Sequence, residues 1–500
     1  KAVTAAYLSS GGNAFSTRTA SQIVQQHFPP APNTVGLESG PLYGVQFSSL
    51  PCSDLVARYN PAGGAAALIG PKRTPLGLSA DAGGLALYKN GVLVGGVGVM
   101  ADGVYGFDPN ILDVEDDDEE YIALAGTRSF EAPAAIRAER ISVDGTLLRY
   151  SDATPDKLRA AGAAPAFSTI NGTAGALSAL TGYSNGAIIA GTPYGSEASG
   201  IRASTAAEFS NRDAFILSDG SGNNRFPIRS GTDGAAVSQP LTAAEARALL
   251  EEAFLIMSRA RAQIRQPLDS RAQVSISVVD TFGSILGVVR SPDAPIFGID
   301  VSLQKARTAA FFSNANAAAE LIANGTAEVR NRVPIARTFF SDPNIFTGQT
   351  AWSNRAIGNV SRPYFPDGEV GRPPGALSPA IDSFNPFTTG LQSELVFGNV
   401  VAHVTYLLTS GGSPDTAARC TQSPDVIPGQ NRLQNGIQIF PGAVPVYRGN
   451  ILVGAIGVSG DGIDQDDMVS FLGAHNAGAR LGGFGNAPST TRSDQLVVQI

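Results

Sequence analysis

The chain has 500 residues and a net charge of −8, and only 16% of its residues are charged. This length predicts two to four domains with sizeable hydrophobic cores. This net negative charge excludes nucleic-acid binding as the function. The sequence contains no run of eighteen apolar residues, so we also predict that no segment spans a membrane.

Two segments of the sequence occur twice. Lys1–Ser9 matches Lys305–Ser313 at an offset of 304 residues, and Tyr88–Val99 matches Tyr447–Val458 at an offset of 359. Two copies separated by hundreds of residues indicate a duplicated domain rather than a solenoid. The second copy has residues 241–304 ahead of its match, and the first has no counterpart of them. We therefore expect the first copy to lack a helix and two strands, with an upstream extension or another segment filling the gap. The alternative is a degenerate first copy that folds without this part.

The duplication divides the chain into four predicted parts. Residues 1–138 form the first copy and residues 240–480 the second. Between them, residues 139–239 are rich in Gly, Ala, Ser and Thr and predict a loop-rich connector or small subdomain. A Pro-rich insertion at about 325–435 interrupts the second copy, and long insertions of this kind are usually functional or interaction surfaces. Residues 481–500 form a C-terminal tail.

The second copy shows the clearest periodicity. Thr242 and Glu245 form a capping-box pattern ahead of an amphipathic helix. The elements that follow are a strand at Val274–Val278, a strand at Ile285–Val289, a helix at Asp300–Phe312, a hairpin at Val444–Tyr447 and Ile451–Val458, and a helix at Asp464–Leu472. This order predicts an antiparallel sheet with helices packed on it, an α+β fold.

Three further features leave alternatives open. Cys52 and Cys420 lie in roughly corresponding parts of the two copies, and either a disulfide in an oxidising compartment or two unpaired thiols would fit. The acidic run Asp113–Glu120 lacks the spacing of a Ca²⁺-binding EF-hand loop, so we predict a solvated helix start. Residues Gly182–Gly186 have the Gly-x-Ser-x-Gly spacing of a nucleophile elbow, which requires a strand over the weak candidate Ala174–Leu180.

The glycine-rich hairpin Val446–Gly460, followed by the acidic residues Asp464–Asp467, resembles the GlcG/HbpS-like family. Val274–Asp280 and Lys305–Ala310 match the family's pattern in the same order. The resemblance implies a profilin- or PAS-like fold in each copy, with an antiparallel sheet flanked by helices. It also implies assembly into dimers or larger oligomers, and two tandem copies would resemble a family dimer made covalent. Some members of the family bind haem or are linked to its degradation.

The histidines are candidate haem ligands, because haem iron needs an axial ligand and histidine is a common one. The chain has His27, His403 and His475. It has no Cys-x-x-Cys-His motif, which excludes a covalent c-type haem, and the cofactor that the resemblance implies is haem b. His27 precedes Phe28 and two prolines that could wall a flat ligand. His403 is predicted on a strand and His475 after the closing helix. The alternative for each is an ordinary structural or helix-terminal histidine.

These observations predict an exported protein, periplasmic or extracellular, that binds haem or a related tetrapyrrole as a homo-oligomer without classical catalysis. A second hypothesis is an assembly protein that forms a large oligomer or filament without a cofactor, because low charge and a Pro-rich insertion favour extended interfaces. A third is an enzyme that acts on haem or on a small organic acid. A fold alone does not decide among them.

Overall fold

The computed structural model describes residues 1–56, 69–159, 165–383 and 385–499. Its helices are α1 (Ala2–Leu8), α2 (Thr17–Ile23), α3 (Asp118–Gly126), α4 (Phe167–Ile170), α5 (Ala243–Arg259), α6 (Phe297–Phe312), α7 (Ala317–Ile322), α8 (Ala327–Phe340), α9 (Asn354–Asn359), α10 (Leu391–Leu408) and α11 (Ile463–Leu481). Its strands are β1 (Gly84–Lys89), β2 (Val92–Gly98), β3 (Ser142–Val143), β4 (Thr146–Leu147), β5 (Ile201–Ala203), β6 (Phe215–Leu217), β7 (Ser275–Val279), β8 (Ile285–Arg290), β9 (Ala443–Arg448), β10 (Ile451–Ser459) and β11 (Gly485–Asn486). Within the described ranges, every helix is too short or too polar to cross a bilayer.

A seven-stranded sheet organises the second half of the chain. The strands follow the order β11-β9-β10-β7-β8-β6-β5, and each neighbouring pair is antiparallel. The four central strands are the two predicted hairpins, joined where β10 pairs with β7. The mixture of helices and antiparallel sheet confirms the predicted α+β class.

The two faces of this sheet pack against different helices. On β7, Ile276 and Val278 point into a core shared with α5 and α11, whereas Val279 points into a core shared with α6. Successive strand residues alternate between faces, so this pattern places α5 and α11 on one side of the sheet and α6 on the other. The helices and strands predicted for the second copy therefore form three layers, with α5 and α11 on one side of the sheet and α6 on the other.

Glycines allow the helices to approach closely. A Cβ on Gly457 of β10 would lie 2.1 Å from the carbonyl oxygen of Ser302 on α6. A Cβ on Gly473 of α11 would lie 2.6 Å from that of Ala253 on α5. Both positions therefore require the absence of a side chain rather than a special backbone conformation.

The hairpin in the first half repeats the geometry of the one in the second half. In β1–β2, Leu87 pairs with Gly95 and the register then shifts by one residue. In β9–β10, Val446 pairs with Gly454 and the register shifts at the same place. α1 packs on β1–β2 as α6 packs on β9–β10. Among the described residues β2 pairs only with β1, so its second edge has no strand partner there.

The inserted segment forms a core of its own with part of the first half. Trp352 and residues of α7, α8 and α10 pack there around Tyr43 and Phe47. Cys52 and Cys420 form a disulfide inside this core, which decides between the two alternatives left open by the sequence. The bond links the first half covalently to the segment that follows α10.

The connector contributes to the sheet. Its strands β5 and β6 form a hairpin, and Phe215 of β6 pairs with Arg290 of β8. Residues 201–217 therefore extend the edge of the second-half sheet.

Candidate functional site

Each half contains a buried lysine–carboxylate pair between equivalent elements. Lys305 of α6 donates to Asp466 of α11 at 2.9 Å, and both side chains are fully buried. In the first half, Lys1 pairs with Glu119 of α3. Lys305 also donates to the carbonyl oxygen of Val458 at 2.9 Å and lies over the ring of Phe440. In the second half the pair joins α6 to α11, and in the first half it joins the start of α1 to α3.

An arginine–carboxylate pair also occurs twice. The Nε of Arg18 in α2 donates to Glu120 at 3.0 Å, and the Nε of Arg355 in α9 donates to Asp467 at 2.6 Å. The two arginines occur in the similar stretches Ala-Phe-Ser-Thr-Arg and Ala-Trp-Ser-Asn-Arg. This third repeated segment was missed in the sequence analysis, and a comparison of the two halves over residues 14–18 would have found it.

The acidic run begins α3, as the sequence predicted, and Asp113, Asp116 and Asp118 are exposed. Glu119 and Glu120 are buried, contrary to the prediction of a solvated helix start. Arg18 is fully buried, and its Nη1 lies 2.9 Å from Asp108 and Glu115 and 3.3 Å from Asp152. Those three carboxylates are also the set among the described residues whose oxygens lie close enough together to hold a metal ion. The guanidinium of Arg18 lies among these carboxylates as their ion-pair partner, and Arg149 forms a further ion pair with Asp152.

His403 lies in the middle of α10, not on a strand as predicted, and is completely buried. Its Nδ1 is 2.7 Å from Asp415, and its Nε2 is 2.8 Å from the hydroxyl of Tyr183. Arg73 donates to Asp415 at 2.7 Å. Burial opposes ionisation of Asp415, but hydrogen bonds from His403 and Arg73 hold its pKa below the usual value. Both ring nitrogens of His403 are engaged, so this residue does not fit an axial haem ligand.

His27 and Phe28 follow α2 in a loop of the first half. Phe28 is buried in the first-half core and offers no open face to a planar ligand. The His27 ring is half-buried and hydrogen-bonds to the backbone of Ala31. Burial lowers the pKa of His27, with this hydrogen bond opposing the shift. The three histidines lie on separate elements, and no hydrogen bond within the described part of the chain connects two of them.

His475 lies within α11 rather than after it, and its side chain is exposed. Met468, Phe471 and Leu472 share this face of the helix and are 39%, 39% and 37% exposed. His475 is four residues after Phe471 and three after Leu472, so these side chains are neighbours on the helix surface. We call Met468, Phe471, Leu472 and His475 the α11 stripe.

A cavity of about 350 Å³ adjoins the α11 stripe. Met468 and Phe471 form one wall, and Val444, Pro445 and Arg492 form others. The guanidinium of Arg492 lies 5.5 Å from the ring centre of Phe471, while its Nε donates to the carbonyl oxygen of Ala487 at 2.9 Å. The cavity therefore combines an apolar wall and a cation, and His475, which does not line it, lies one helical turn beyond Phe471.

A second cavity of about 350 Å³, the β2 cavity, lies where β2 ends at Gly98. It is lined by apolar side chains and by Met100 and Tyr105, which are residue types that can ligate haem iron. The phenolic oxygen of Tyr105 accepts a hydrogen bond from the backbone of Ala80 at 2.8 Å, and burial raises the pKa of Tyr105. Met100 is 54% exposed.

The structure does not form a nucleophile elbow at Gly182–Gly186. Residues 174–180 contain isolated bridges instead of the strand that the motif requires. The backbone of Ser184 closes a tight turn with Leu180, and its hydroxyl accepts a hydrogen bond from the backbone of Gly186 at 3.1 Å. The Ser spacing is therefore a chance match in a turn-rich segment.

Comparison with known proteins identifies one family. The family described as "Haem degrading protein HbpS-like" matches residues 249–350 and 403–474. The unmatched residues 351–402 lie inside the predicted insertion, and the matched ones include α6, β9–β10 and most of the α11 stripe. No curated protein matches the chain. Residues 249–350 and 403–474 are therefore similar to the haem degrading protein HbpS-like family.

Proposed function

We propose that the protein binds haem or a related tetrapyrrole on the α11 stripe, with His475 as the axial ligand. The family match supports a haem-related function for this half of the chain. The observation that carries the site assignment is the exposed imidazole of His475 beside three exposed apolar side chains. A planar apolar macrocycle gains free energy when it covers such a surface, and a neutral imidazole is a common ligand of haem iron.

The ligand would be haem b held without covalent attachment. Met468, Phe471 and Leu472 would cover one face of the ring, and His475 would orient it through the iron. When bound, haem supplies an iron centre for ligand binding or redox chemistry. The residues of this chain bind and orient the ring, and the proposal includes no catalytic step.

Titration of the purified protein with haemin tests this proposal. The wild type is expected to give a shifted and sharpened Soret band that saturates at one haemin per chain. The variant His475→Ala is expected to lose that shift, whereas His27→Ala and Met100→Leu serve as controls and should retain it. A His475→Ala protein with an unchanged Soret band contradicts the assignment. Loss of the band only in Met100→Leu transfers the site to the β2 cavity.

We further propose that residues 1–138 are a second HbpS-like unit of profilin- or PAS-like shape. The shared hairpin register of β1–β2 and β9–β10, together with the repeated Lys1 and Lys305 pairs, supports this proposal. Export to a periplasmic or extracellular compartment is also proposed, because a disulfide persists in an oxidising environment.

A second candidate function is assembly into a homo-oligomer through β2. The second edge of β2 has no strand partner among the described residues, and Val92 and Val94 on this strand are 55% and 53% exposed. An uncharged exposed edge of this kind favours pairing with another strand. Light scattering after size exclusion is expected to show an oligomer that Val94→Lys dissociates. A monomeric wild type contradicts this candidate function.

A further inference from the structure

We infer that Arg492 binds a carboxylate of the tetrapyrrole and so selects ligands with acidic side groups. This inference rests on the proposed function, because it adds a contact to the site on the α11 stripe. The class of ligand it defines is a planar macrocycle with carboxylate substituents at its edge.

The position of Arg492 is built into the fold. Its backbone forms a bridge with Ala351, and its Nε donates to the carbonyl oxygen of Ala487 at 2.9 Å. These contacts anchor the side chain through Nε, and among the described residues the two terminal nitrogens of the guanidinium form no hydrogen bond. Within the described part of the chain, no carboxylate forms an ion pair with Arg492. A planar guanidinium with unused donors suits a carboxylate ligand.

The first half contains an equivalent arginine in a different setting. Arg137 donates through its Nε to the carbonyl oxygen of Ala132 at 2.9 Å, as Arg492 does to Ala487. Its guanidinium lies 5.5 Å from the ring centre of Tyr150, which belongs to a connector segment and is buried. Residues of this segment also wall the cavity beside Arg137. Both arginines are half-buried, and the difference between them is that the aromatic ring beside Arg137 is a buried one.

The second-half arginine faces the stripe instead. The ring beside Arg492 is that of Phe471, which is exposed and belongs to α11. Phe471 and His475 are separated by one helical turn, about 6 Å along the axis. A ring ligated by His475 and lying on Phe471 would therefore bring its edge to the guanidinium.

Two acidic residues, Asp467 and Asp494, line the same cavity as Arg492 and are therefore possible ion-pair partners for it. Asp467 is held by Arg355 at 2.6 Å and by the backbone of Gly442 at 2.8 Å, so its charge is compensated. Asp494 accepts a hydrogen bond from Gln495 at 3.0 Å. Neither forms an ion pair with Arg492, which leaves the guanidinium as the unpaired cation of this cavity.

Binding of two probes, haemin and haemin dimethyl ester, tests the inference. Arg492→Gln is expected to weaken haemin binding about tenfold, the loss of one charge-assisted hydrogen bond, and to leave binding of the ester unchanged. Arg492→Lys should restore part of the affinity for haemin. The matched control is Arg137→Gln, which is expected to leave the binding of haemin and the binding of its dimethyl ester unchanged. Thermal unfolding of each variant checks that the fold is retained.

The outcomes separate the two proposals. If His475→Ala abolishes the Soret shift but Arg492→Gln binds haemin as the wild type does, the inference about Arg492 is wrong and the proposed function stands. Equal weakening for haemin and its ester also contradicts the inference, because a lost carboxylate contact affects only haemin. If neither probe binds the wild type, the proposed function itself fails.

Discussion

Lys305 and Asp466 form a buried ion pair that joins the helices on opposite faces of the second-half sheet, with 2.9 Å between Nζ and Oδ2. Burial raises the pKa of Asp466 to about 7, with Lys305 opposing the shift, and burial lowers the pKa of Lys305. The charges depend on one another because neither has access to solvent.

Removal of one partner should therefore be costly. Lys305→Met is expected to lower the free energy of unfolding by about 3–5 kcal/mol, because an unpaired carboxyl group remains buried. The double variant Lys305→Met with Asp466→Leu should recover most of the lost free energy of unfolding, because no charged group then remains buried without a partner. Urea unfolding measures both variants, with exposed Lys89→Met as the control. A loss below about 1 kcal/mol in Lys305→Met contradicts the buried pair.

Gly457 offers a test of the close contact between β10 and α6. Gly457→Ala is expected to destabilise the protein by about 1–3 kcal/mol, because its Cβ would collide with backbone that has no room to move. The control is Gly95→Ala in β2, where a Cβ meets no atom within 4 Å. Thermal unfolding compares the two. Equal melting temperatures would show that α6 does not approach β10 as described.

The disulfide between Cys52 and Cys420 should contribute measurable stability. Reduction, or the double variant Cys52→Ser with Cys420→Ser, is expected to lower the free energy of unfolding by about 2–5 kcal/mol. The double variant should not respond to reductant. Denaturant titration with and without dithiothreitol measures the effect, and a wild-type midpoint unaffected by reductant would mean that the bond does not form.

The carboxylate of Glu208 is expected to make the free energy of unfolding depend on pH. Hydrogen bonds from Arg202 lower the pKa of Glu208 from 4.5 to about 2. The native value lies below the unfolded one, so the pair stabilises the fold above pH 4.5 and this contribution disappears as the pH falls towards 2. Partial exposure reduces the contribution to about 1 kcal/mol.

Glu208→Gln should therefore be less stable than the wild type at pH 6 and nearly equal to it at pH 2.5. Urea unfolding at both pH values measures the difference. A difference between the two proteins that does not change with pH contradicts the role of the Glu208 charge.

The sequence predicted the elements of the second half well because its patterns are local. The capping box at Thr242 begins α5, and the alternation in β7 and the glycine-rich turn at Gly449 produced the expected strands. The family resemblance came from these same local motifs. The repeated segments also made the shared shape of the two hairpins predictable.

Contacts between distant residues could not be predicted in the same way. A short apolar run fits a strand or a buried helix equally, so His403 was assigned to a strand although it lies in α10. The carboxylates Glu119 and Glu120 seemed solvated because their partners, Lys1 and Arg18, are about a hundred residues away. The position of His475 within α11 depends on how far that helix continues past Leu472.

Haemin titration of the wild type and of His475→Ala, followed in the Soret region, tests the central claim most directly. The account predicts one haemin bound per wild-type chain and loss of the Soret shift when the imidazole of His475 is removed. Identical spectra for the two proteins, or a wild type that does not bind haemin, would contradict it.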